Sequence, residues 1–436
     1  MKPVKVGLLG IGTVGSGTYR VLERNREEIT RRAGRRIEIA WVAARNLERA
    51  RNIVGDGVRL TTDVLQVARD PEIDVIVEVI GGTDVAKAAV LAAIESGKHI
   101  VTANKALLAI HGNDIFAAAG RRNVIVAFEG AVSVCIPIIK ALREGLTANR
   151  IEWIAGIING TSNFILTEMR AKGLPFDEVL REAQRLGYAE ADPTFDVDGN
   201  DAAHKVTLLS AIGFGIPVQF DRAYVEGIRA LTDRDITYAE ELGYRIKLLG
   251  ITRRAPGGIE LRVHPTLIPA ERLIASVEGA MNAILVKGDA AGVTMYYGAG
   301  AGSEPTASAV IADLIDVTRL MEAEPAERVP HLAFQPEALS DVPILPMSEV
   351  QTSYYLRLRV TDQVGVLADI ARVLADAEIS IDAMLQKGPA DSDGETDIVI
   401  LTHRTREQNF NAAMKAMVRL PTVRNEYTRI RREDLG

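Results

Sequence analysis

One run of the chain concentrates groups able to move protons or hold charge: Gly187-Tyr-Ala-Glu190-Ala-Asp-Pro-Thr-Phe-Asp196-Val-Asp198-Gly-Asn-Asp201-Ala-Ala-His-Lys205. Asp201 and Lys205 are four residues apart, so on a helix they share one face within contact distance. A lysine beside a carboxylate on a largely apolar segment is a candidate general acid. The carboxylate orients the ammonium and helps keep a proton on it for delivery to a nascent alkoxide. Glu190, Asp196 and Asp198, on the preceding loop, are candidates for binding a substrate ammonium. The same run also reads as an acid-enriched helix start, which the helix dipole favours without any chemistry.

A second group lies at the start of the chain. Gly10-Ile11-Gly12-Thr13-Val14-Gly15 follows a strand pattern at residues 4–9 and precedes a helical pattern at 17–28. In G-x-G-x-x-G the first glycine makes a tight turn and the second admits a pyrophosphate. The third lets helix and strand pack closely, with the phosphate on the helix N-terminus. The next strand ends Val42-Ala43-Ala44-Arg45-Asn46, without the carboxylate that binds a free ribose 2′-hydroxyl. Arg45 stands where it can pair with a 2′-phosphate, which favours NADP over NAD.

The elements that must position these groups follow from periodicity. Strand patterns at 36–43, 74–80, 99–102 and 123–128 alternate with helical patterns, including 83–96 with Gly97 at its stop. Alternation of this kind predicts a Rossmann doubly wound parallel sheet. From Asn149 the texture changes. Strand patterns at 150–158, 258–263 and 282–287, mixed with helices, predict an α+β domain built on a second sheet. Residues 321–350 carry five prolines and read as a semi-rigid linker. Beyond it, β-α-β-β-α-β in about 80 residues predicts a ferredoxin-like module. The expected division is 1–131 nucleotide-binding, 132–320 catalytic and dimerisation, 321–350 linker and 351–432 regulatory.

Composition bounds the function. The 436 residues carry a formal net charge of −7, against a general nucleic-acid binder, which needs a basic footprint. No apolar run reaches the ~18 residues that would span a bilayer, so a cytoplasmic protein with no membrane partner is expected. Cys135 is the single cysteine, which excludes an intrachain disulfide and a cysteine-based zinc site. The six histidines form no H-x-x-x-H pair, and no catalytic metal is expected. His204 adjoins Lys205, but helical neighbours point about 100° apart, so it reads as a packing or surface residue.

Taken together, the glycine fingerprint, Val101-Thr102-Ala103-Asn104-Lys105, Gly156-Ile-Ile-Asn-Gly-Thr-Ser-Asn163 and the 187–205 run resemble homoserine dehydrogenase over essentially the whole chain. The resemblance implies reversible reduction of L-aspartate 4-semialdehyde to L-homoserine. The nicotinamide supplies the hydride, and the protein supplies positioning and one proton. It implies Lys205 as proton donor to the aldehyde oxygen, with Asp201 as its partner. Lys105 then stands near cofactor and substrate, Glu190 holds the substrate amino group, Asp196 is a further contact, and Thr161 meets the carboxylate end. Thr102 belongs to the cofactor side, and Gly302 and Glu304 to a segment that returns to it. The family also binds a monovalent cation, usually Na+. Glu129 with the carbonyls of Val132, Val134 and Ile136 matches that site, although Ser133-Val134-Cys135 replaces the family's small Gly-rich stretch.

The C-terminal module resembles an ACT domain, through Val360-Thr-Asp-Gln-Val-Gly365-Val-Leu367. Gly365 and Val366, with Ile379 and Ile381 on the facing strand, are the expected effector contacts. In homoserine dehydrogenases such a tail is associated with threonine feedback; the fold alone also admits a dimerisation module without ligand. A homodimer or tetramer is expected, with residues 136–145 and 305–320 as interface elements. Two other readings remain. A semialdehyde dehydrogenase forming an acyl phosphate would need a thiolate, and Cys135 sits in an apolar Val-Cys-Ile-Pro setting. A non-catalytic amino-acid sensor is the other, and Lys205, Asp201 and Glu190 argue against it.

Overall fold

The computed structural model describes residues 2–387 and 394–436. These form two compact units interleaved in sequence: 1–154, 204–221 and 282–342 in the first, and 155–203, 222–281 and 343–436 in the second. Each unit draws on more than one of the stretches expected from the sequence. Among the described residues no helix is long and apolar enough to cross a membrane.

In the first unit, β1 (Val4–Leu9), β2 (Ile37–Ala43), β3 (Arg59–Thr61), β4 (Val75–Glu78), β5 (His99–Thr102) and β6 (Val126–Ala127) form a sheet ordered β3-β2-β1-β4-β5-β6. All five neighbouring pairs in that order are parallel. The order reverses between β1 and β4, the point where doubly wound sheets open a crevice at their strand ends. Val4, Val6, Leu8 and Leu9 of β1 and Val75, Ile76 and Val77 of β4 are buried, as strands covered on both faces require. The three-residue β3 and the short helices Leu47–Val54 and Val64–Arg69 escaped the sequence reading, because elements this short carry too few residues to show a period.

The helix Ser303–Leu320, which contains the expected interface element 305–320, buries Ala307, Val310, Ile311, Leu314 and Val317 in the same core as Val6, Leu8, Val75 and Val77. A segment almost three hundred residues away in sequence thus completes the nucleotide-binding half. The other expected interface element, 136–145, holds the single turn Ile138–Lys140 and a π-helical turn, Ala141–Gly145, with Ile138, Ile139 and Leu142 buried.

The second unit is built on the antiparallel hairpin Tyr244–Ala255 and Gly258–Pro269, paired from Gly258↔Ala255 to Pro269↔Tyr244. Strand Val423–Arg432 joins its edge in parallel at Thr266↔Arg431 and Leu267↔Arg432. The sheet continues through Gln351–Thr361, Glu395–Thr402 and Ile381–Gln386. The expected β-α-β-β-α-β order is present, with Tyr354, Leu356, Leu358, Ile370, Leu374, Phe410 and Met417 in the module's core.

The other face of Gln351–Thr361 is also buried, although it carries Arg357 and Arg359. Arg357 donates from Nε to Asp235 Oδ1 at 2.7 Å and is 1% exposed at its side chain, against 0% for Asp235. Arg431 donates to Glu407 and Glu226, at 2.6 and 2.8 Å. Arg262 donates to Glu260 and Glu433, at 2.9 and 2.6 Å. Buried charges require such partners. The ACT-like module is therefore docked within its unit by sheet pairing and ion pairs, rather than set apart by a linker. The proline-rich stretch is itself pinned: Phe334 packs on Gly215 and Ser340 donates to its carbonyl at 2.7 Å, while Ile259 exchanges backbone bonds with Pro343 and Leu345 at 2.9 and 2.8 Å.

Candidate active site

Three glycines of the N-terminal fingerprint have separate physical reasons. Gly10 adopts φ +101°, and a Cβ there would sit 2.8 Å from the Val79 carbonyl. At Gly15 a Cβ would fall 2.0 Å from the Gly10 carbonyl, so no side chain fits. Gly12 faces open space, with nothing within 4 Å of a Cβ position, and caps the helix Thr13–Arg24 without a side-chain cap. That leaves first-turn N–H groups aimed outward, the donor set an anionic phosphate requires. Thr13 is exposed, whereas Val14 packs its side chain on the core. Arg45 is exposed just beyond β2 and has no partner among the described residues.

The second Gly-rich stretch does come back to this turn. Ser303 Oγ donates to the Thr13 carbonyl at 2.6 Å, and Gly17 lies so close to Ser303 that a Cβ would be 2.5 Å from its Oγ. Gly302 adopts φ +132° at the start of the helix. The Glu304 carboxylate takes a two-pronged ion pair from Arg24, at 2.9 and 2.8 Å.

At the ends of β4 and β5 the structure adds a residue that sequence reasoning passed over. Glu78 is fully buried, and burial raises its pKa. Its carboxylate accepts from Thr102 Oγ1 at 2.7 Å, Asn104 Nδ2 at 3.4 Å and Ile80 N–H at 3.0 Å. Asn104 also caps its helix at Leu107 and donates to the Gly82 carbonyl at 2.8 Å. Thr102 and Asn104 thus form a scaffold for Lys105, the first residue of the helix Lys105–Arg122. A glutamate closing an apolar strand run was the available signal.

Glu129 is buried on a single 3-10 turn, Glu129–Ala131. Its two carboxylate oxygens accept from the N–H groups of Ile139 and Lys140, both at 2.9 Å. Burial pushes its pKa up to about 7; Asp313, buried beside it, is likewise pushed up to about 7. In the following loop Ser133 and Val134 hold φ +52° and +58° without being glycine. The bulkier side chains are therefore accommodated in the left-handed backbone. Among the described residues the carbonyls of Val132 and Val134 accept no hydrogen bond, and Ser133 Oγ is buried without a partner, while Ile136 O receives Ile138 N–H at 2.8 Å. A buried carboxylate beside carbonyls left over fits a cation of low charge. Cys135 Sγ points to the Ala299 carbonyl at 3.6 Å.

In the second unit the acidic loop is gathered by one side chain. Asn159 Nδ2 donates to Asp196 Oδ1 and to Asp201 Oδ2, each at 2.8 Å. Its Oδ1 caps the helix Gly160–Lys172 through Ser162 N–H, also at 2.8 Å. Asp201 is buried on the helix Asn200–Phe214, and Lys205 follows one turn later, also buried. Thr161 Oγ1 donates to the Tyr188 carbonyl at 2.8 Å. Glu190 is exposed, and its carboxylate has no partner among the described residues. Asp198 does not stand ready for a ligand: Arg229 Nε pairs with it at 2.5 Å. Asn163, last of the Asn-Gly-Thr-Ser-Asn motif, donates to the carbonyls of Val277, Gly279 and Met281, at 3.1, 3.0 and 3.2 Å. His204 is buried in the first unit with its ring edge-on to Phe220, a packing role.

Comparison with known proteins converges on one family. The homoserine dehydrogenase NAD-binding domain model matches residues 10–129, the homoserine dehydrogenase model 137–315 and the ACT domain model 354–422. The homoserine dehydrogenase of Pseudomonas aeruginosa is 60% identical, with 100% of both chains covered. The chain belongs to the homoserine dehydrogenase family.

The Bacillus subtilis homoserine dehydrogenase is 39% identical, again with 100% of each chain covered. The crystal structure of the Thiobacillus denitrificans homoserine dehydrogenase is 66% identical, with a TM-score of 0.96 over 100% of this chain and 99% of that one. A hyperthermophilic archaeal homoserine dehydrogenase, solved with NADPH, is 25% identical with a TM-score of 0.63, over 73% of this chain and 98% of that one. As a homoserine dehydrogenase, the chain is an NAD(P)-dependent oxidoreductase, and the open Gly12 turn suits its nicotinamide cofactor. The acyl-phosphate and non-catalytic readings fall with this assignment.

The expected effector contacts of the ACT domain divide in two. Gly365 holds φ +97° at the exposed start of the helix Val366–Asp376, and Ile381 is 36% exposed. Val366 and Ile379 are buried in the domain's core.

Proposed function

We propose that this homoserine dehydrogenase works in the cytoplasm as a homodimer or tetramer and prefers NADP. Arg45, exposed and unpaired among the described residues, supports that preference, as does the NADPH bound by the archaeal relative. Gly10, Gly12, Thr13, Val14 and Gly15 take the pyrophosphate, with Thr102, Lys105, Gly302 and Glu304 flanking the cofactor. Bound NADPH supplies the hydride to L-aspartate 4-semialdehyde. Lys205 Nζ gives the proton to the aldehyde oxygen, Asp201 orients it, and Lys105 adds positive charge. Glu190 and Asp196 hold the substrate ammonium and Thr161 meets its carboxylate end. Glu129 with the carbonyls of Val132, Val134 and Ile136 holds Na+ or another monovalent cation, which fixes the loop that follows β6. Threonine acts through the ACT domain at the exposed Gly365 loop and Ile381, with Val366 and Ile379 supporting that loop from the core.

The observation that carries the catalytic reading is the Asn159 amide shared between Asp196 and Asp201. It ties the acidic loop to the first turn of the helix that bears Lys205. The experiment is homoserine-dependent reduction of NAD and NADP in parallel, with and without threonine, in sodium and in a large organic cation. Lys205→Ala should lower turnover by about 10²–10⁴-fold while cofactor binding persists. Near-normal turnover in that variant sinks the mechanism. Cys135→Ser should retain activity.

A further inference from the structure

Beside the second ACT helix, Glu407–Met417, lies a cleft of about 650 Å³ that none of these roles uses. One wall is Asn411, Met414 and Lys415 of that helix, and the facing wall is the segment from Glu226 to Leu231. Arg429 crosses the back. It donates to Asn411 Oδ1 at 2.7 Å and to Glu407 Oε1 at 3.0 Å, and reaches Glu226 Oε2 at 3.5 Å. Glu226 Oε2 also accepts from Tyr224 and Arg431, at 2.7 and 2.8 Å. Among the described residues Glu226 Oε1 accepts nothing, and the Lys415 ammonium meets no carboxylate. Lys415 lies one helical turn beyond Asn411, on the same face.

The cleft therefore offers a cationic side, one open carboxylate oxygen and an apolar patch of Met414 and Leu231. A plain anion would face Glu226, and a plain cation would face Lys415 and Arg429; each leaves a charge opposed. A small zwitterion with an apolar or weakly polar side chain matches all three. We propose that this cleft binds a free α-amino acid, its carboxylate on Lys415 and Arg429 and its ammonium on Glu226. This rests on the reading of the ACT domain as an amino-acid sensor, and adds a site separate from the Gly365 loop.

The facing wall is joined to the substrate loop. Ile228 N–H donates to the Val197 carbonyl at 2.8 Å. At Gly227 a Cβ would lie 2.3 Å from that same carbonyl, so the two backbones touch. Arg229 pairs with Asp198 at 2.5 Å and with Thr194 Oγ1 at 3.1 Å. A ligand drawing on Glu226 thus acts on the segment that braces Asp196. Such coupling is reciprocal, so occupation should change the apparent affinity for homoserine more than that for cofactor.

The test uses the full-length protein, the twenty standard L-amino acids in a thermal-shift screen, and titration calorimetry of those that stabilise. Ala230→Trp, at an exposed position of the wall, fills the cleft, and Lys415→Glu reverses its charge. Ile381→Asp serves as the control at the other loop. At least one amino acid should bind, and both cleft variants should weaken it at least tenfold. Its amide and N-acetyl derivatives should bind at least tenfold more weakly. In the unsubstituted protein it should raise the KM for homoserine, and in the cleft variants it should not. Binding unchanged in both cleft variants but lost in Ile381→Asp overturns the cleft and keeps ACT sensing. No binding by any of the twenty overturns both.

Discussion

Asn159 and Asp201, forty-two residues apart in sequence, are joined by a buried 2.8 Å hydrogen bond. The same amide nitrogen reaches Asp196, and the amide oxygen caps the following helix. One side chain therefore sets both the start of a helix and the position of two carboxylates.

This division of labour can be separated experimentally. Asn159→Ser keeps a capping oxygen but cannot donate to two carboxylates. Its unfolding free energy should change by less than the ~0.5–2 kcal/mol of a lost cap, while kcat/KM for homoserine falls by about 10²-fold from misplacement of the acidic loop. Asn159→Ala should show both losses. Urea unfolding and steady-state rates on the same preparations decide it; a stability loss without a kinetic one would reduce Asn159 to a cap.

Cofactor choice is expected to turn on Arg45. A hydrogen bond to a charged group contributes about 1.5–3 kcal/mol, so Arg45→Ala should weaken NADP by about 10–100-fold in kcat/KM. NAD should change little. Equal losses for both cofactors would place Arg45 outside the 2′-phosphate site.

The buried pair Arg357–Asp235 joins the ACT domain to the helix Asp233–Glu241, and removing one member leaves the other charge unpaired. Arg357→Ala should cost about 3–5 kcal/mol. Denaturant midpoints measure it, with Arg45→Ala as an exposed reference; a matching midpoint in the two variants would contradict the buried pairing.

Acid sensitivity should follow Glu433. Burial alone would raise its pKa, but Arg262 and Arg253 outweigh that and hold it at about 2 against an ordinary 4.5. The folded pKa is depressed, so its contribution is complete above 4.5 and is lost as pH falls from there towards about 2. Glu433→Gln should be less stable at neutral pH, and its deficit should shrink below 4.5. A deficit independent of pH would mean that the charge is not what stabilises.

Much of the chemistry was legible because it is local. The glycine fingerprint is a backbone requirement within six residues, and the Asp201–Lys205 spacing follows from the helical repeat. The ACT strands announced themselves by alternation. Other features were invisible for equally physical reasons. In Gln351–Thr361 the burial of Arg357 and Arg359 is one, since period alone cannot tell an arginine in water from one paired with a buried carboxylate. The ion pair between Glu304 and Arg24 joins residues 280 apart in sequence, which no local spacing announces. Asp198 looked free for a substrate until Arg229 was found on it.

The sequence by itself thus determined where the glycine turn, the Asp201–Lys205 pair on one helix face and the ACT domain lie, because each depends on neighbours within a turn or a strand. The tertiary structure alone decided that Ser303–Leu320 closes the nucleotide-binding core, that Asn159 gathers Asp196 with Asp201, and that buried arginines hold the ACT domain in its unit. Those arrangements depend on burial and charge pairing between segments distant along the chain, which no local period records.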